Sequence, residues 1–175
     1  MGEVAIDDMT AGEVEIAGYL PGAIGRVTEL HAEYYGREWG FGLYFEAKVA
    51  AGLAEFLLRF DAARDGFWTA RLAGRIEGAV ALDGLRADSD GAHLRWFILS
   101  DAIRGRGVGH RLMQEAIGFC RARRYRRVFL STFEGLAAAR HLYEKFGFRL
   151  AEQAEGTQWG LPVTEQRFVL ELENS

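Results

Sequence analysis

Three glycines at alternate positions, Gly105, Gly107 and Gly109, stand where a strand pattern gives way to a helix pattern. The run "GAHLRWFILS" before them is apolar enough for a buried strand, and apolar residues at helical spacing follow them. The first turn of a helix carries amide groups without helical partners, and glycines let a ligand approach them closely. This arrangement suits a phosphate or pyrophosphate, while a flexible turn without a ligand is the plainer alternative.

Two well-known phosphate-binding motifs do not fit this glycine cluster. The Walker pattern needs a lysine followed by serine or threonine after its second glycine, and the sequence has no such pair there. In the dinucleotide pattern G-x-G-x-x-G the third glycine would be Leu112 counted from Gly107, or His110 counted from Gly105. The sequence therefore predicts neither of these nucleotide-binding folds.

The elements around the glycines must position them, and their order predicts the fold class. The pattern reads as a strand, two helices, three meander strands, a helix, a strand, a helix and a further strand, at residues 13–20, 22–40, 44–60, 67–72, 76–84, 91–100, 107–123, 126–132, 135–148 and 166–173. This order predicts an α/β protein with a mixed sheet, in which one strand–helix–strand crossover carries the glycines. The strand before the glycines is long and apolar, so we expect it to be central. The last strand alternates like an edge or hairpin strand.

Composition limits the classes of function. A chain of 175 residues with 49% apolar residues predicts one domain over residues 1–175. The net charge of −4 argues against nucleic acid as a partner, although the basic run at 121–127 is either a solvated helix end or a phosphate-binding patch. The absence of a long apolar run argues against a membrane partner, and the acidic start "MGEVAIDDM" is unlike a signal peptide. Cys120 is the only cysteine, so we expect a cytoplasmic protein with Cys120 in the core.

Two motifs then resemble one known family. Residues 104–109, "RGRGVG", match the R/Q-x-x-G-x-G/A motif of the GNAT acetyltransferase superfamily, and residues 138–148, "AARHLYEKFGF", are similar to its A-x-x-x-Y-E-K-x-G-F motif. The resemblance is clear from Phe67 to Leu150. The first 65 residues also resemble the acetyltransferase half of bacterial proteins that fuse a MarR-like DNA-binding domain to a GNAT domain. The resemblance implies the GNAT fold, a mixed, mostly antiparallel twisted sheet of about six to seven strands flanked by about four helices.

The resemblance implies an acetyl-CoA-dependent N-acetyltransferase that needs no metal. It would move an acetyl group directly, in a ternary complex, to a primary amine of a small molecule, amino acid or peptide. One alternative is a catalytically silent sensor or interaction module that binds acyl-CoA. Another is transfer of a different acyl group, which depends on the space near Phe97 and Phe133. Members of the family are often homodimers, and the sequence itself establishes no oligomeric state.

The resemblance also implies which residues bind the cofactor. Backbone amides of the glycine loop would hold the pyrophosphate, and amides near Phe97, Ile98 and Leu99 would receive the charge that develops on the thioester oxygen. The loop residues in question are Arg104, Gly105, Arg106, Gly107, Val108, Gly109 and His110. The two arginines can add charge-assisted contacts to phosphate, or they are solvated loop cations. Relatives often carry asparagine where this chain has Leu136, which removes one expected contact with the pantetheine arm.

Tyr143 matches the family tyrosine that gives a proton to the leaving thiolate. A phenol of pKa near 10 can donate to a thiolate whose conjugate acid has a pKa of about 8.5, and the alternative is a core tyrosine. Glu46 is the first choice for the general base that deprotonates the amine. The other candidates are ordered water and the side chains of His93, Glu134, His31 and Glu38.

We expect the acceptor to be selected by residues 34–45 and 155–166, which are rich in aromatics and glycine. Aromatic rings with carboxylates nearby suit a cationic amine. The alternative is that Trp39, Tyr44 and Trp159 complete the edge of the core. The acidic balance of the chain favours a small amine, an amino acid or a basic peptide over nucleic acid.

Overall fold

The computed structural model describes residues 12–173, so the acidic start of the chain lies outside the described residues. The helices are α1 (Ala23–Trp39), α2 (Leu43–Leu58), α3 (Val108–Ala122) and α4 (Ala137–Lys145). The strands are β1 (Glu15–Ala17), β2 (Gly66–Leu72), β3 (Arg75–Asp83), β4 (Ala92–Leu99), β5 (Arg127–Phe133), β6 (Arg149–Gly156) and β7 (Val163–Glu171).

All these strands form one sheet of seven, in the order β1-β2-β3-β4-β5-β7-β6. Every neighbouring pair is antiparallel except β4 and β5, which are parallel and joined through α3. The predicted mixed, mostly antiparallel sheet with four helices is therefore confirmed for the described residues, and so is the central place of β4.

Two cores lie on opposite faces of this sheet. On one face α3 buries Leu112, Met113 and Ala116, and α4 adds Tyr143. On the other face α1 and α2 pack on β2, β3 and β4, where Leu53 belongs to the buried set. Burying a leucine-sized side chain contributes about 1.5–3 kcal/mol, so these apolar stripes fix each helix pair on its own face.

The connection between α1 and α2 brings aromatic rings together. Helix α1 ends at Trp39 and is capped by Gly40. The φ of Gly40 is 71°, and its amide donates to the carbonyls of Gly36 and Tyr35. The chain therefore reverses within a few residues, and Tyr35 packs against Phe41 and Phe45 with ring centres 5.9 and 5.2 Å apart. This cluster forms one wall of the site described below.

The end of the chain differs from the sequence-based expectation. The pattern predicts one strand after α4, whereas the structure has two, β6 and β7, paired as a hairpin. β6 is exposed along almost its whole length, so it lacks the apolar alternation that marks a strand. The hairpin prediction for the last strand is confirmed, but its edge position is wrong, because β7 lies between β5 and β6.

Candidate active site

The glycine loop joins β4 to α3 and turns at two left-handed residues. Gly105 and Gly107 have φ values of 73° and 75°, which strain residues with side chains. The first hydrogen bond of α3 runs from the Arg111 amide to the Gly107 carbonyl at 3.2 Å, so the amides of residues 108–110 have no partner inside the helix. A Cβ built on either left-handed glycine meets nothing within 4 Å. This open set of amides at a helix N-terminus fits the pyrophosphate of the expected cofactor.

The two arginines of the loop contact protein carbonyls. Arg104 donates from Nε and Nη2 to the Leu99 carbonyl at 3.1 and 2.8 Å, and its guanidinium carbon lies 4.3 Å from the centre of the Tyr34 ring. Arg106 donates from Nη2 to the Gly12 carbonyl at 2.7 Å. Arg104 thus fastens the loop to the end of β4 and to α1, and the contacts of both arginines with phosphate stay predictions.

The central strands β4 and β5 part soon after they meet. Their parallel pairing consists of Ala92 with Val128 and His93 with Phe129. Beyond these residues no pairing between the two strands is formed within the described chain. The sheet therefore opens in its middle, on the side where β4 runs toward the glycine loop.

A bulge in β4 changes which side chains face the opening. The ladder to β3 shifts between Ala79 and Ala81, and Trp96 has a φ of 48°. In a regular strand Arg95 and Trp96 would point to opposite faces. Here both reach α2, where a Cβ on Gly52 would lie 3.6 Å from Arg95 and 3.1 Å from Trp96.

A cavity of about 200 Å³ occupies the gap between the parted strands, and we call it the central cavity. It is lined by residues of α1, α2, β4, β5, α4 and the β6–β7 connection, namely His31, Tyr35, Phe45, Lys48, Val49, His93, Leu94, Arg95, Trp96, Phe97, Leu130, Ser131, Thr132, Phe133, Tyr143, Gln158 and Trp159. Because α1 and α2 cover one face of the sheet and α4 the other, the central cavity connects the two faces. Groups that enter from opposite faces can meet there.

The three β4 residues expected near the thioester are placed differently. Phe97 lines the central cavity. Ile98 is buried against α1 and α2, and Leu99 packs on the α3 side while its carbonyl accepts the bonds from Arg104. The roles of their amides stay predictions.

Tyr143 brings a phenol to the α4 side of the central cavity. Its ring centre lies 6.2 Å from that of Phe97 and 6.1 Å from those of Phe148 and Phe168. Burial raises the pKa of the phenol above its ordinary value, because the charged form is poorly solvated there. Tyr143 therefore keeps its proton at neutral pH, as a proton donor must.

Two neutral histidines, His31 and His93, also line the central cavity. The Nδ1 atom of His31 lies 2.7 Å from the Val27 carbonyl, and since a carbonyl only accepts, Nδ1 carries the proton and Nε2 is free to accept one. Burial lowers the pKa of His31 to about 4, against an opposing effect of that hydrogen bond. Burial and then the charge of Arg95 lower the pKa of His93 to about 3, and its ring stacks on Phe129 at 4.3 Å.

The carboxylates considered as bases lie elsewhere. Glu46 is exposed in the first turn of α2, one residue after the inward-facing Phe45. Glu38 pairs with Arg37 at 2.9 Å, and Glu134 lines a separate surface groove. None of the three lines the central cavity. The structure therefore does not bring Glu46 together with Tyr143, and its role as the base stays a prediction.

Both predicted acceptor segments reach the central cavity, but without their carboxylates. Tyr35 and Phe45 come from the first segment, and Gln158 and Trp159 from the second. Of the nearby acids, Glu155 accepts a bond from Thr164 and Glu165 accepts one from the Gln158 amide. The other two aromatics lie outside the lining residues: Trp39 packs edge-on against Phe133 with ring centres 4.8 Å apart, and Tyr44 is exposed.

Leu136 stands at the start of α4 without a side-chain cap. It packs against the aromatic cluster of Phe41, Phe45 and Phe133. Its side chain therefore serves packing at this position.

Sequence reasoning missed Lys48, Arg95 and Trp96 as lining residues. Arg95 is a charge inside an otherwise apolar strand, and that interruption was the one available signal. The bulge that turns Arg95 and Trp96 to the same face is a backbone feature that apolar periodicity does not reveal.

Other classes of site have little support within residues 12–173. No three His, Cys, Asp or Glu side chains in this range are grouped so that they could hold a metal ion. No helix in the same range is long and apolar enough to cross a bilayer. Cys120 is fully buried and burial raises the pKa of its thiol to about 12, which confirms it as a core residue.

Comparison with known proteins identifies the family of this chain. The family model described as "Acetyltransferase (GNAT) family" matches residues 24–148. The chain is 29% identical over 120 residues to N-acetylaspartate synthetase of Xenopus tropicalis, covering 63% of this chain and 44% of that protein. It is 37% identical over 59 residues to N-alpha-acetyltransferase 80 of Mus musculus, covering 34% of this chain and 18% of that protein. The chain thus spans less than half the length of these curated relatives.

Solved structures show the same fold. The protein yncA of Salmonella typhimurium, solved with its cofactor acetyl-CoA, superposes with a TM-score of 0.69 at 16% identity, over 93% of this chain and 95% of that one. An N-acetyltransferase of Staphylococcus aureus Mu50 superposes with a TM-score of 0.72 at 14% identity, over 93% of this chain and 100% of that one. Since the family model covers most of the sequence, we conclude that this chain belongs to the GNAT family of acetyltransferases.

Proposed function

We propose that this chain is an acetyl-CoA-dependent N-acetyltransferase that acetylates a primary amine of a small molecule, amino acid or peptide by direct transfer in a ternary complex. The observation that carries the proposal is the central cavity, which is lined by elements from both faces of the sheet and whose lining residue Phe97 would lie 3.3 Å from a Cβ on Gly109 of the glycine loop. A cofactor on the α3–α4 side and an amine on the α1–α2 side can meet in it without a covalent enzyme intermediate. The names of the two curated relatives support nitrogen as the acceptor atom.

The glycine loop would hold the pyrophosphate through the amides of residues 108–110. The helix dipole of α3 favours negative charge at that point. Acetyl-CoA, the family's co-substrate, supplies an activated acetyl group as a thioester. Backbone amides of β4 near Phe97 would receive the negative charge that develops on the thioester oxygen, which is the largest electrostatic demand of acyl transfer.

Tyr143 would give its proton to the departing thiolate. Its phenol lies on the α4 side of the central cavity and carries a proton at neutral pH, while burial raises its pKa and so makes it a weaker acid than a free tyrosine. The core-tyrosine alternative is compatible with its packing against Phe97 and Phe148. A variant that keeps the ring and removes the hydroxyl separates the two roles.

His31 is better placed than Glu46 to accept the proton of the amine. The free Nε2 of His31 belongs to a residue that lines the central cavity, whereas the carboxylate of Glu46 is exposed outside it. Burial makes His31 a weak base by lowering its pKa to about 4, so His31 would relay the proton of the amine to water and not hold it. We expect His31→Gln to lower kcat about a hundredfold and Glu46→Gln to leave kcat within about twofold; the reverse ranking would restore Glu46 as the base.

Calorimetry with acetyl-CoA, followed by release of free CoA thiol across a panel of amines, tests the proposal. We expect micromolar binding of acetyl-CoA and turnover with at least one primary amine. Binding without turnover on any amine would support the alternative, a silent acyl-CoA sensor. No binding at all would leave the glycine loop as a bare turn and contradict the proposal.

Further expectations belong to the same proposal. They are a single domain over residues 1–175, a cytoplasmic location inferred from the lone Cys120, kinship with the acetyltransferase half of the MarR fusion proteins, and a homodimer. Gel filtration with light scattering measures the last of these. A monomer at micromolar concentration would contradict it.

A further inference from the structure

The charged side chains that line the central cavity are all positive. The charged residues among its lining are Lys48 and Arg95, and no aspartate or glutamate within residues 12–173 lines it. The chain as a whole has 25 acidic and 21 basic residues, so this local excess of positive charge runs against the overall balance. A cavity of this kind attracts an anionic group.

Arg95 is positioned by Trp96 and Asp83, and these contacts leave guanidinium N–H donors available to a ligand. Its guanidinium carbon lies 4.0 Å from the centre of the Trp96 ring, and its Nη1 atom lies 3.6 Å from Oδ2 of Asp83. That distance is too long for a strong hydrogen bond. Arg59 already binds both oxygens of Asp83, Oδ1 at 3.1 Å and Oδ2 at 2.5 Å, so the carboxylate that Arg95 approaches is shared with a second, closer guanidinium group.

An anion beside Arg95 would stabilise its positive charge. Its side chain is 30% exposed, and burial lowers its pKa, while Asp83 opposes that effect. A charge that has lost part of its hydration is stabilised by a close counter-charge. A carboxylate matches the planar fork of a guanidinium with two parallel bonds.

Lys48 supplies the second cation at the open edge of the cavity. It is exposed, and its Nζ atom donates to the Gln158 carbonyl of the β6–β7 connection. A carbonyl carries no net charge, and no carboxylate of residues 12–173 forms an ion pair with Lys48. Its charge is therefore available to a ligand.

The same two cations also suit the chemistry at the amine. An ammonium group beside Arg95 and Lys48 is destabilised by like charge, which lowers the pKa of the amine and favours the neutral form that attacks. The histidines that share this wall, His31 and His93, are neutral at pH 7. Their ring nitrogens add hydrogen-bond acceptors to the lining of the central cavity without adding charge.

We propose that the acceptor is an amine that also carries a carboxylate, bound by Arg95 and Lys48 on the α1–α2 side of the central cavity. This inference rests on the proposed acetyltransferase function. The shared chemistry is found in a free amino acid and in the amino end of an acidic peptide. It revises the expectation of an acceptor recognised by carboxylates of the protein.

Matched acid and amide pairs test the inference. Alanine is compared with alaninamide, aspartate with asparagine, and a dipeptide Asp-Asp amide with Ala-Ala amide, by steady-state kinetics with acetyl-CoA and by calorimetry on the CoA-saturated protein. Converting an α-carboxylate to an amide lowers the pKa of the neighbouring amine, which by itself favours the amide as nucleophile. A preference for alanine over alaninamide therefore cannot come from amine protonation.

We expect the carboxylate-bearing member of at least one pair to have about a tenfold lower KM and Kd than its partner, as one charge-assisted contact gives. Arg95→Gln and Lys48→Gln should each shrink that ratio toward one, and Arg95→Lys should keep part of it. The free amino acids and the peptides identify which source of the carboxylate the cavity accepts.

Arg123→Gln is the matched control, since Arg123 also lies over a ring, 3.7 Å from the centre of Phe119, but does not line the cavity.

The outcomes separate the two proposals. Turnover with equal preference for acids and amides would overturn the carboxylate site and leave the acetyltransferase function standing. Acetyl-CoA binding without turnover would overturn the function, and the Kd ratios of the pairs would then decide the carboxylate site alone. Thermal unfolding of each variant shows that a lost ratio does not come from a lost fold.

Discussion

The glycine loop, where we propose that the cofactor binds, and the acceptor side of the central cavity are built by different means. The cofactor side depends on the backbone of one short continuous segment, with Gly105 and Gly107 in left-handed conformations before α3. The acceptor side depends on side chains from α1, α2, β4, β5 and the β6–β7 connection. A backbone cradle recognises a chemical group common to all acetyl-CoA users, whereas side chains from separate elements can vary independently.

Under the proposed function, this difference makes the cofactor side general and the acceptor side specific. Amides at a helix N-terminus bind phosphate whatever their side chains are. Arg95 and Trp96 line the central cavity because of a bulge in β4, and Lys48 lines it because of its position on α2. We therefore expect that changing one of those side chains alters acceptor specificity and leaves acetyl-CoA binding unchanged.

The largest expected effect comes from filling the cofactor cradle. Gly107→Trp should weaken acetyl-CoA binding at least about a hundredfold, because a side chain takes the space next to the helix amides. Gly74→Trp is the matched control: its φ of 79° is similar and its Cβ also meets nothing within 4 Å, but it lies in the β2–β3 turn. Calorimetry with acetyl-CoA measures both, and equal losses in the two variants would mean that strain alone is responsible.

Removing one hydroxyl on the cofactor side should affect chemistry more than binding. Tyr143→Phe should lower kcat about a hundredfold and leave the affinity for acetyl-CoA nearly unchanged, as expected for loss of a general acid. Steady-state kinetics and calorimetry give the two numbers. An unchanged kcat would identify Tyr143 as a core tyrosine.

On the acceptor side, His31 should make the fold sensitive to acid. Its pKa is about 4 in the folded protein and about 6.5 in an unfolded chain. Between these values the unfolded chain binds a proton that the folded protein does not, so stability falls as pH falls from 6.5 toward 4. At pH 5 the loss attributable to His31 is about 2 kcal/mol.

Urea unfolding at pH 7 and pH 5 measures this effect. His31→Gln should lose about 2 kcal/mol less than the wild type on going to pH 5. The other titrating groups are common to both proteins, so they cancel in the difference. Equal losses in the two proteins would show that His31 titrates normally in the folded state.

The smallest expected effect concerns a second tyrosine, on the acceptor side. Tyr35 lines the central cavity from α1, and Tyr35→Phe should raise KM for the amine about threefold, the cost of one neutral hydrogen bond. The affinity for acetyl-CoA should stay the same. A change in acetyl-CoA affinity instead of acceptor KM would place Tyr35 on the cofactor side and break the division between the two sides.

The sequence alone predicted the position of the glycine loop and most of the fold. Apolar periodicity predicted the four helices and the central strand β4, and the glycine spacing predicted the loop before α3, because local backbone chemistry determines both. β6 was missed since an exposed edge strand carries no apolar alternation. Because β6 pairs with the outer side of β7, a sequence reading without β6 places β7 at the edge of the sheet.

Only the tertiary structure decided the acceptor side. His31, Lys48, Arg95 and Trp159 are far apart in the chain, and nothing in their local sequence indicates that they share one cavity. Their meeting depends on the parting of β4 from β5, on the bulge in β4 and on the packing of α1 and α2 over the gap. Local sequence determines which elements form, whereas long-range packing determines which side chains face the same space.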